Sequence, residues 1–307
     1  MKLPFGVCSL QGLRDYNEDR SCVASPLGGK KKLGSACALE GPLHFVAIMD
    51  GHGGDACSEF SSKRVMAELL VDLRAGLVPL AALVNAHAAT EVAWMRRSCG
   101  GDDPDDSGTT SVCVLIDEAA GELSISNVGD SRALLLRRSR RGGKRKRGAA
   151  KAGSLAVLPL TTDQDAENKG EAKRIKAAGG TVSAEGYINE SVQTARSIGD
   201  YLSKFLPAEA EEEAPAKHSL AVISTPAVSR AALCEDDVLL VLGCDGLFET
   251  DDEARDDMAW IAELCDEALG AGASVKKIAK RLADDAIAHG SSDNTTALVV
   301  DLRKLVR

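Results

Sequence analysis

The sequence predicts an α+β fold, in which strands follow one another along the chain and helices are grouped elsewhere. Short apolar runs that end at glycine or asparagine turns indicate strands, and longer segments with apolar residues at helical spacing indicate helices. Of the 307 residues, 44% are hydrophobic, which is enough for a sizeable core without disulfides. Neither a repeat nor a linker between two cores is visible, so we expect a single domain over residues 1–307.

The N-terminal half is expected to contain one strand, two helices and then three more strands. The apolar run HFVAIMD (44–50) is short and stops at a glycine-rich turn, which is typical of a buried strand. Helices are predicted over 55–74, from the apolar spacing, and over 79–97, which has a proline near its start. The three strands that follow are 109–117, 122–129 and 132–138.

The C-terminal half begins with a strand at 154–160, which we expect to return beside the strand 132–138 as a hairpin. A short helix over 171–178 ends at Gly179–Gly180, a frequent stop signal. The remaining predicted elements are strands at 222–226, 237–245 and 295–302, and helices at 253–270 and 274–289.

Charge is divided unevenly along the chain, which has a formal net charge of −9. Residues 137–151 (RRSRRGGKRKRGAAK) carry nine of the 37 Lys and Arg residues and no acid, so the remaining body is strongly acidic. An acidic body argues against nucleic acid as a partner. The basic run is predicted to be an insertion at a hairpin tip, where added residues cost little. A nuclear-import signal, a docking patch for anions and a solvated tip all fit its composition.

Cysteine usage and hydropathy indicate the compartment. The nine cysteines are irregularly spaced and include no C-x-x-C pair, which favours reduced thiols over a zinc or redox motif. No apolar run reaches the roughly 18 residues that a membrane span requires, and the N-terminus does not resemble a signal peptide. We expect a cytoplasmic and/or nuclear protein with no membrane partner.

Acidic residues recur beside turns at the ends of apolar strands. Asp50 and Asp245 each close a predicted strand and precede glycine, and Asp293 lies just before the last strand. Near the N-terminus, Arg14 precedes Glu18–Asp19. Carboxylates held at strand ends suit hard divalent cations such as Mg²⁺ and Mn²⁺, and glycine lets a backbone carbonyl approach the ion. Taken alone, each Asp-Gly is more often an ordinary turn than a metal ligand.

Eight stretches run in order along nearly the whole chain: GLRDYNEDR (12–20), FVAIMDGHGG (45–54), DSGTTSVCVLI (106–116), SNVGDSRALLL (126–136), LTTDQDAENKGEAKRIKAAGGTV (160–182), QTARSIGD (193–200), VLLVLGCDGLFE (238–249) and SSDNTTALVV (291–300). Together they resemble the type 2C metal-dependent serine/threonine protein phosphatases, the PPM family. The resemblance implies a four-layer α/β/β/α architecture, with a central antiparallel β-sandwich flanked by helix pairs.

The same resemblance implies a centre for two Mn²⁺ or Mg²⁺ ions. Asp50 would bridge the two metals, and the Gly51 carbonyl would bind one of them. Asp245 and Asp293 would complete the shell of the first metal, and Glu18 would serve the second through water.

Further roles follow from the resemblance alone. Asp19 would support the second metal site from outside its direct ligands, and Asp163 would hold a weaker third metal together with Asp245. Arg14 would grip the substrate phosphate, and His52 would be the general acid towards the leaving oxygen. A water bridging the two metals would be the nucleophile.

The implied function is hydrolysis of phosphoserine and phosphothreonine in phosphoprotein substrates by a monomer. A pseudophosphatase that binds without turnover, and a hydrolase of small phosphate esters, are the alternatives. Gln164, Phe248 and Glu249 depart from the family, which often has histidine, tryptophan and aspartate there. The acidic segment 207–215 lies where the family places a flap-like loop, and it is either selective for phosphosites with basic neighbours or a mobile spacer.

Overall fold

The computed structural model describes residues 2–27, 41–100, 104–140, 153–206, 217–218, 221–250 and 258–305. The strands are β1 (Phe5–Leu10), β2 (Arg20–Ala24), β3 (Leu43–Met49), β4 (Gly51–His52), β5 (Gly108–Thr109), β6 (Ser111–Asp117), β7 (Glu122–Val128), β8 (Arg132–Arg138), β9 (Leu155–Pro159), β10 (Ile198–Gly199), β11 (Phe205–Leu206), β12 (Lys217–His218), β13 (Ala227–Ala232), β14 (Asp237–Gly243) and β15 (Thr295–Asp301). The helices are α1 (Ala56–Arg74), α2 (Pro79–Ser98), α3 (Lys169–Ala177), α4 (Tyr201–Lys204), α5 (Asp245–Phe248), α6 (Ala259–Gly270) and α7 (Val275–Ala288).

Two five-stranded antiparallel sheets form the centre of the molecule. Their strand orders are β1-β15-β14-β8-β9 and β13-β7-β6-β3-β2. Most residues of β6, β8 and β14 are buried, and alternate apolar side chains of these strands lie on the inner face, where each sheet packs against the other. The core between the sheets includes Val46, Ile48, Val112, Val114, Leu135, Leu240, Leu242 and Val300.

A pair of helices covers the outer face of each sheet. On the second sheet, α1 and α2 bury Leu69 and Leu83 against Phe45 and Leu115. On the first sheet, α6 and α7 bury Ile261 and other apolar residues against β8, β14 and β15. The predicted α+β fold, an antiparallel β-sandwich flanked by helix pairs in four layers, is therefore confirmed.

Two details of the predicted strand pattern are wrong. The segment 222–226 is not a strand apart from a single bridge at Ile223, and the strand begins at Ala227 instead. The pattern also failed to predict β1 and β2, because their residues are only partly buried and their apolar positions are interrupted by Ser, Cys and Arg.

The hairpin that carries the basic run is formed by β8 and β9. Arg137 and Arg138 belong to β8 and lie opposite Ala156 and Leu155 of β9, so the tip begins after them. Arg137 forms an ion pair with Asp237, in which its Nε lies 2.6 Å from Oδ1. Residues 141–151 and the acidic segment 207–215 lie outside the described residues, so the alternatives for both remain predictions.

Within the described part of the chain, none of the helices is both long enough and apolar enough to cross a membrane.

Candidate active site

A cleft of about 730 Å³ opens where several strands of the two sheets end. It brings together most of the site residues predicted from the sequence. The predicted residues that line it are Arg14, Glu18, Asp50, Gly51, His52, Asp245 and Asp293.

The centre of the cleft is a cluster of three aspartates, Asp50, Asp130 and Asp245. One carboxylate oxygen from each lies within 4.8 Å of those from the other two. Asp50 follows β3, Asp130 lies in the turn between β7 and β8, and Asp245 follows β14 and begins α5. The cluster therefore takes its carboxylates from the ends of strands in both sheets.

The carboxylates in this cluster oppose one another electrostatically. Burial raises the pKa of Asp50 well above its ordinary value, and the neighbouring charges of Asp245, Asp19 and Asp130 raise it further. Burial and the charge of Asp245 likewise raise the pKa of Asp130 well above its ordinary value, and burial raises the pKa of Asp245. Within the described residues, no Lys or Arg forms an ion pair with any of the three. Such a cluster of carboxylates could hold a hard divalent cation.

Three buried carboxylate oxygens have no hydrogen-bond partner among the described residues. They are Oδ1 of Asp130, Oδ1 of Asp19 and Oδ2 of Asp200, and the first two belong to residues grouped around Asp50. The other oxygen of Asp19 accepts a hydrogen bond from the Thr296 hydroxyl at 2.6 Å. Carboxylate oxygens of Asp19 and Asp50 also lie within 4.8 Å of the Cys244 sulfur. Because buried polar atoms are normally paired, the unpaired oxygens of Asp19 and Asp130 support cation binding beside Asp50.

The loop before β2, which carries Glu18, packs directly against the turn that follows β3. The Gly54 amide donates to Oε1 of Glu18 at 2.5 Å, and the Glu18 carbonyl accepts from the Ser58 hydroxyl. A Cβ at Gly51 would lie 2.7 Å from the Glu18 carbonyl oxygen. Only glycine therefore fits at position 51 without moving the backbone that carries Glu18.

Arg14 and Asp293 form an ion pair at the edge of the cleft, with Nη2 of Arg14 2.5 Å from Oδ2 of Asp293. The arginine side chain is 58% exposed, so its guanidinium is accessible to a ligand. The side-chain amide of Asn294 donates to the backbone carbonyls of Gln11 and Tyr16, and these hydrogen bonds anchor the loop that presents Arg14.

His52 is held by an aspartate that the sequence reading did not select. Its Nε2 lies 2.8 Å from Oδ1 of Asp200, whose side chain is almost fully buried. Burial alone would lower the pKa of His52, but the Asp200 carboxylate outweighs this and raises it. Conversely, burial would raise the pKa of Asp200, but His52 outweighs it and lowers that pKa. The Asp200 carboxylate therefore fixes the orientation of the imidazole and favours its protonated form.

Asp163, the residue predicted to hold a third metal, is engaged elsewhere. Both of its carboxylate oxygens accept hydrogen bonds from Arg132, the shortest at 2.6 Å from Nη2. The Arg132 guanidinium also lies 4.9 Å from the ring centroid of Phe248. The geometry therefore favours Asp130 over Asp163 as the further carboxylate of the cluster.

Gln164, the residue after Asp163, supports the turn that presents Asp130. Its side-chain oxygen accepts a hydrogen bond from the backbone amide of Gly129 at 2.9 Å.

Asp130 and Asp200 are the site residues that the sequence reasoning missed. Asp130 follows the strand β7, but it comes after Gly129 and before Ser131, so it lacks the order of strand, aspartate and glycine that singled out Asp50 and Asp245. Asp200 also follows a glycine, in SIGD, but the strand before it has only two residues and gives little apolar signal.

Comparison with known proteins identifies the family. The sequence model described as "Protein phosphatase 2C" matches residues 3–295, nearly the whole chain. The chain belongs to the protein phosphatase 2C family. Protein phosphatase 2C homolog 3 of Schizosaccharomyces pombe is 30% identical over 306 residues, which cover 97% of this chain and 64% of that protein. The human integrin-linked kinase-associated serine/threonine phosphatase 2C is 28% identical over 273 residues, which cover 84% of this chain and 62% of that protein.

The chain thus spans less than two thirds of the length of these two curated relatives of the protein phosphatase 2C family. Solved structures support the same fold. A serine-threonine phosphatase 2C from Toxoplasma gondii superposes with a TM-score of 0.68 at 18% identity, covering 98% of both chains. A sex-determining protein of C. elegans gives a TM-score of 0.73 at 20% identity, covering 100% of this chain and 68% of that one. At these identities the structural likeness establishes the fold alone.

Proposed function

We propose that this member of the protein phosphatase 2C family hydrolyses phosphoserine and phosphothreonine in proteins with the help of Mn²⁺ or Mg²⁺. The observation that carries the proposal is the cluster of Asp50, Asp130 and Asp245, whose carboxylates have no basic partner among the described residues and open into a cleft. Family membership and the names of the relatives point to the same activity.

The residues that would hold two cations are those of the cluster and its surroundings. Asp50 is central, because it belongs both to the cluster with Asp130 and Asp245 and to the group with Asp19 and Cys244. Glu18, Gly51, Asp245 and Asp293 line the same cleft, and Asp19 lies behind Asp50. Bound there, divalent cations would supply acidification of water at neutral pH and neutralisation of phosphate charge. A weaker third ion, if bound, is assigned to Asp130 with Asp245.

Arg14 and His52 act on the substrate itself. The exposed guanidinium of Arg14 suits a phosphate, because its planar fork can donate to two oxygens at once. The leaving oxygen of serine or threonine needs a proton as its bond to phosphorus breaks. Asp200 engages Nε2 of His52, which leaves Nδ1 as the nitrogen that can deliver this proton.

The test is phosphate release from a phosphothreonine peptide by the purified protein. It is run with Mn²⁺, with EDTA, and with the Asp50→Ala variant in Mn²⁺. We expect release that requires the metal and is lost in the variant. A folded wild-type protein that releases no phosphate in Mn²⁺ would refute the proposal and favour a pseudophosphatase that binds without turnover.

A further inference from the structure

Behind the cleft wall lies a buried ion pair that belongs neither to the metal cluster nor to the surface. Lys204 of α4 has a side chain only 2% exposed, and its Nζ lies 2.5 Å from Oε1 of Glu91 in α2. Lysine is almost never buried this completely without a reason. A buried ion pair contributes little net stability, because desolvation of the two charges offsets their attraction. A role in shaping the site is therefore a better explanation than stability.

Both members of the pair hold the same short piece of backbone. The second carboxylate oxygen of Glu91 accepts from the Gly199 amide at 3.0 Å. Nζ of Lys204 also donates to the Ser197 carbonyl at 2.9 Å. The Lys204 amide in turn donates to the Asp200 carbonyl at 3.1 Å. The pair thus clamps residues 197–200, the segment that ends in the carboxylate bound to His52.

The clamped segment has a conformation that needs support. Gly199 has φ +89°, and Asp200 has φ +54°, in the left-handed region that non-glycine residues seldom adopt. A Cβ at Gly199 would lie 3.0 Å from the Cys57 sulfur and would clash with the backbone of Ser107. Such a turn persists only when its surroundings fix it, and the contacts to Glu91 and Lys204 do so.

The turn delivers Asp200 into a space that is built to receive it. A Cβ added at Gly108 would collide with both Asp200 carboxylate oxygens and with Nε2 of His52. The Leu202 amide donates to Oδ1 of Asp106 at 2.7 Å, which ties the start of α4 to the same wall. A small displacement of this turn would therefore move the imidazole.

We propose that Glu91 and Lys204 are positioning residues, which hold Asp200 so that His52 is oriented to protonate the leaving oxygen. The inference rests on the proposed phosphatase function. Neither residue contacts the substrate, because both lie behind the wall formed by residues 197–200. Their effect should therefore be confined to the step that needs the proton, and phosphate binding at Arg14 should be unaffected.

The test compares two substrates that differ in their need for an acid. A phosphothreonine peptide releases an alkoxide, which must be protonated, whereas p-nitrophenyl phosphate releases a stabilised phenolate, which need not be. For Glu91→Gln in Mn²⁺ we expect kcat on the peptide to fall about 10- to 100-fold, which reaches only the lower limit of the effect of general acid catalysis because His52 itself is retained. We expect kcat on p-nitrophenyl phosphate to change less than about threefold, and KM for both substrates to stay the same.

Controls separate positioning from a loss of folding. Glu91→Gln leaves a buried lysine unpaired, so the double variant Glu91→Gln/Lys204→Met, which removes both charges, is measured beside it. Asp284→Asn, which breaks the exposed Lys280–Asp284 pair on α7, is the matched variant away from the site and should leave both activities unchanged. Gly108→Ala disturbs the same His52–Asp200 contact from the opposite side and should also reduce peptide turnover selectively.

The outcomes distinguish the two proposals. Folded variants that lose equal fractions of kcat on both substrates, or lose none on either, would overturn the positioning role. A folded wild-type protein that turns over neither substrate in Mn²⁺ would instead overturn the phosphatase function on which it rests.

Discussion

Replacement of Asp130 by asparagine should make the chelated protein more stable and its response to Mn²⁺ weaker. The carboxylates of Asp50, Asp130 and Asp245 have oxygens within 4.8 Å of one another. Two unit charges about 5 Å apart repel by about 3 kcal/mol at an effective dielectric constant of about 20. Protonation relieves part of this repulsion, because burial and mutual repulsion raise the pKa values of Asp50 and Asp130. A net gain of about 1–2 kcal/mol is therefore expected from Asp130→Asn in EDTA.

The assay is thermal unfolding with EDTA and with saturating Mn²⁺. One kcal/mol corresponds to about 2–4 °C in domains of roughly 150–250 residues, so Tm in EDTA should rise by about 2–8 °C. A ligand at 100 times its Kd stabilises the wild type by about 2.7 kcal/mol. The variant has lost a carboxylate from the cluster, so Mn²⁺ should stabilise it less than it stabilises the wild type. In Mn²⁺, the difference in Tm between the variant and the wild type should therefore become smaller or change sign.

Asp163→Asn is the matched control, since Asp163 was the carboxylate that the sequence pattern assigned to a third metal. It removes the bidentate partner of Arg132, whose side chain is only 19% exposed. We expect a loss of about 1–3 kcal/mol in both EDTA and Mn²⁺, with the Mn²⁺-induced shift preserved. The reasoning is refuted if Asp130→Asn lowers Tm in EDTA and keeps the full Mn²⁺ shift. Loss of the Mn²⁺-induced rise in Tm in Asp163→Asn would instead support the assignment of Asp163 to a third metal.

Two further predictions concern stability. His87 lies buried in α2, between the Leu83 carbonyl and the Ser111 hydroxyl, and burial lowers its pKa from 6.5 to about 4. The stability that depends on its neutral ring is complete above pH 6.5 and is lost as the pH falls towards 4, with a loss of about 2 kcal/mol at pH 5. Urea unfolding at pH 7 and pH 5 should therefore show a smaller loss of unfolding free energy for His87→Gln than for the wild type. Equal losses in the two proteins would contradict this. Gly51→Ala should lower the free energy of unfolding by about 1–3 kcal/mol, because the added methyl group would be forced against the Glu18 carbonyl. An unchanged Tm in EDTA would contradict this and show that the turn can move to accept the methyl group.

Much of the fold could be predicted because its central strands are buried on both faces. All seven residues of β3 are buried, as are those of β6 and β14, so each appears in the sequence as a short unbroken apolar run. The edge strand β13 has the opposite character. Five of its six residues are exposed, and its sequence AVSRAA carries no hydrophobic pattern. Its position is determined by pairing with β7, which a local pattern does not reveal.

The candidate site was predictable to the extent that each residue carries a local signal. Asp50 and Asp245 do, because each ends an apolar strand before glycine. Asp130 carries a weaker signal, because it follows Gly129 and precedes Ser131, and the assignment of Asp163 to a third metal stays a prediction. The contact between His52 and Asp200 joins residues 148 positions apart through a turn with unusual backbone angles. Such a contact depends on tertiary packing and has no local pattern.

The origin of the clustered carboxylates explains why the sandwich and the site depend on each other. Asp50 follows a strand of one sheet, Asp245 follows a strand of the other, and Asp130 lies on the turn where the chain passes between them. The charges therefore meet only when the two sheets are packed face to face. Their repulsion opposes that packing, and the apolar core between the sheets must outweigh it in the absence of cations. A divalent cation removes this opposition, so metal binding should stabilise the contact between the sheets as well as prepare the cleft for phosphate. Truncation of Leu242, which lies in that core just before Asp245 in the chain, should then lower the apparent affinity for Mn²⁺ without altering any ligand.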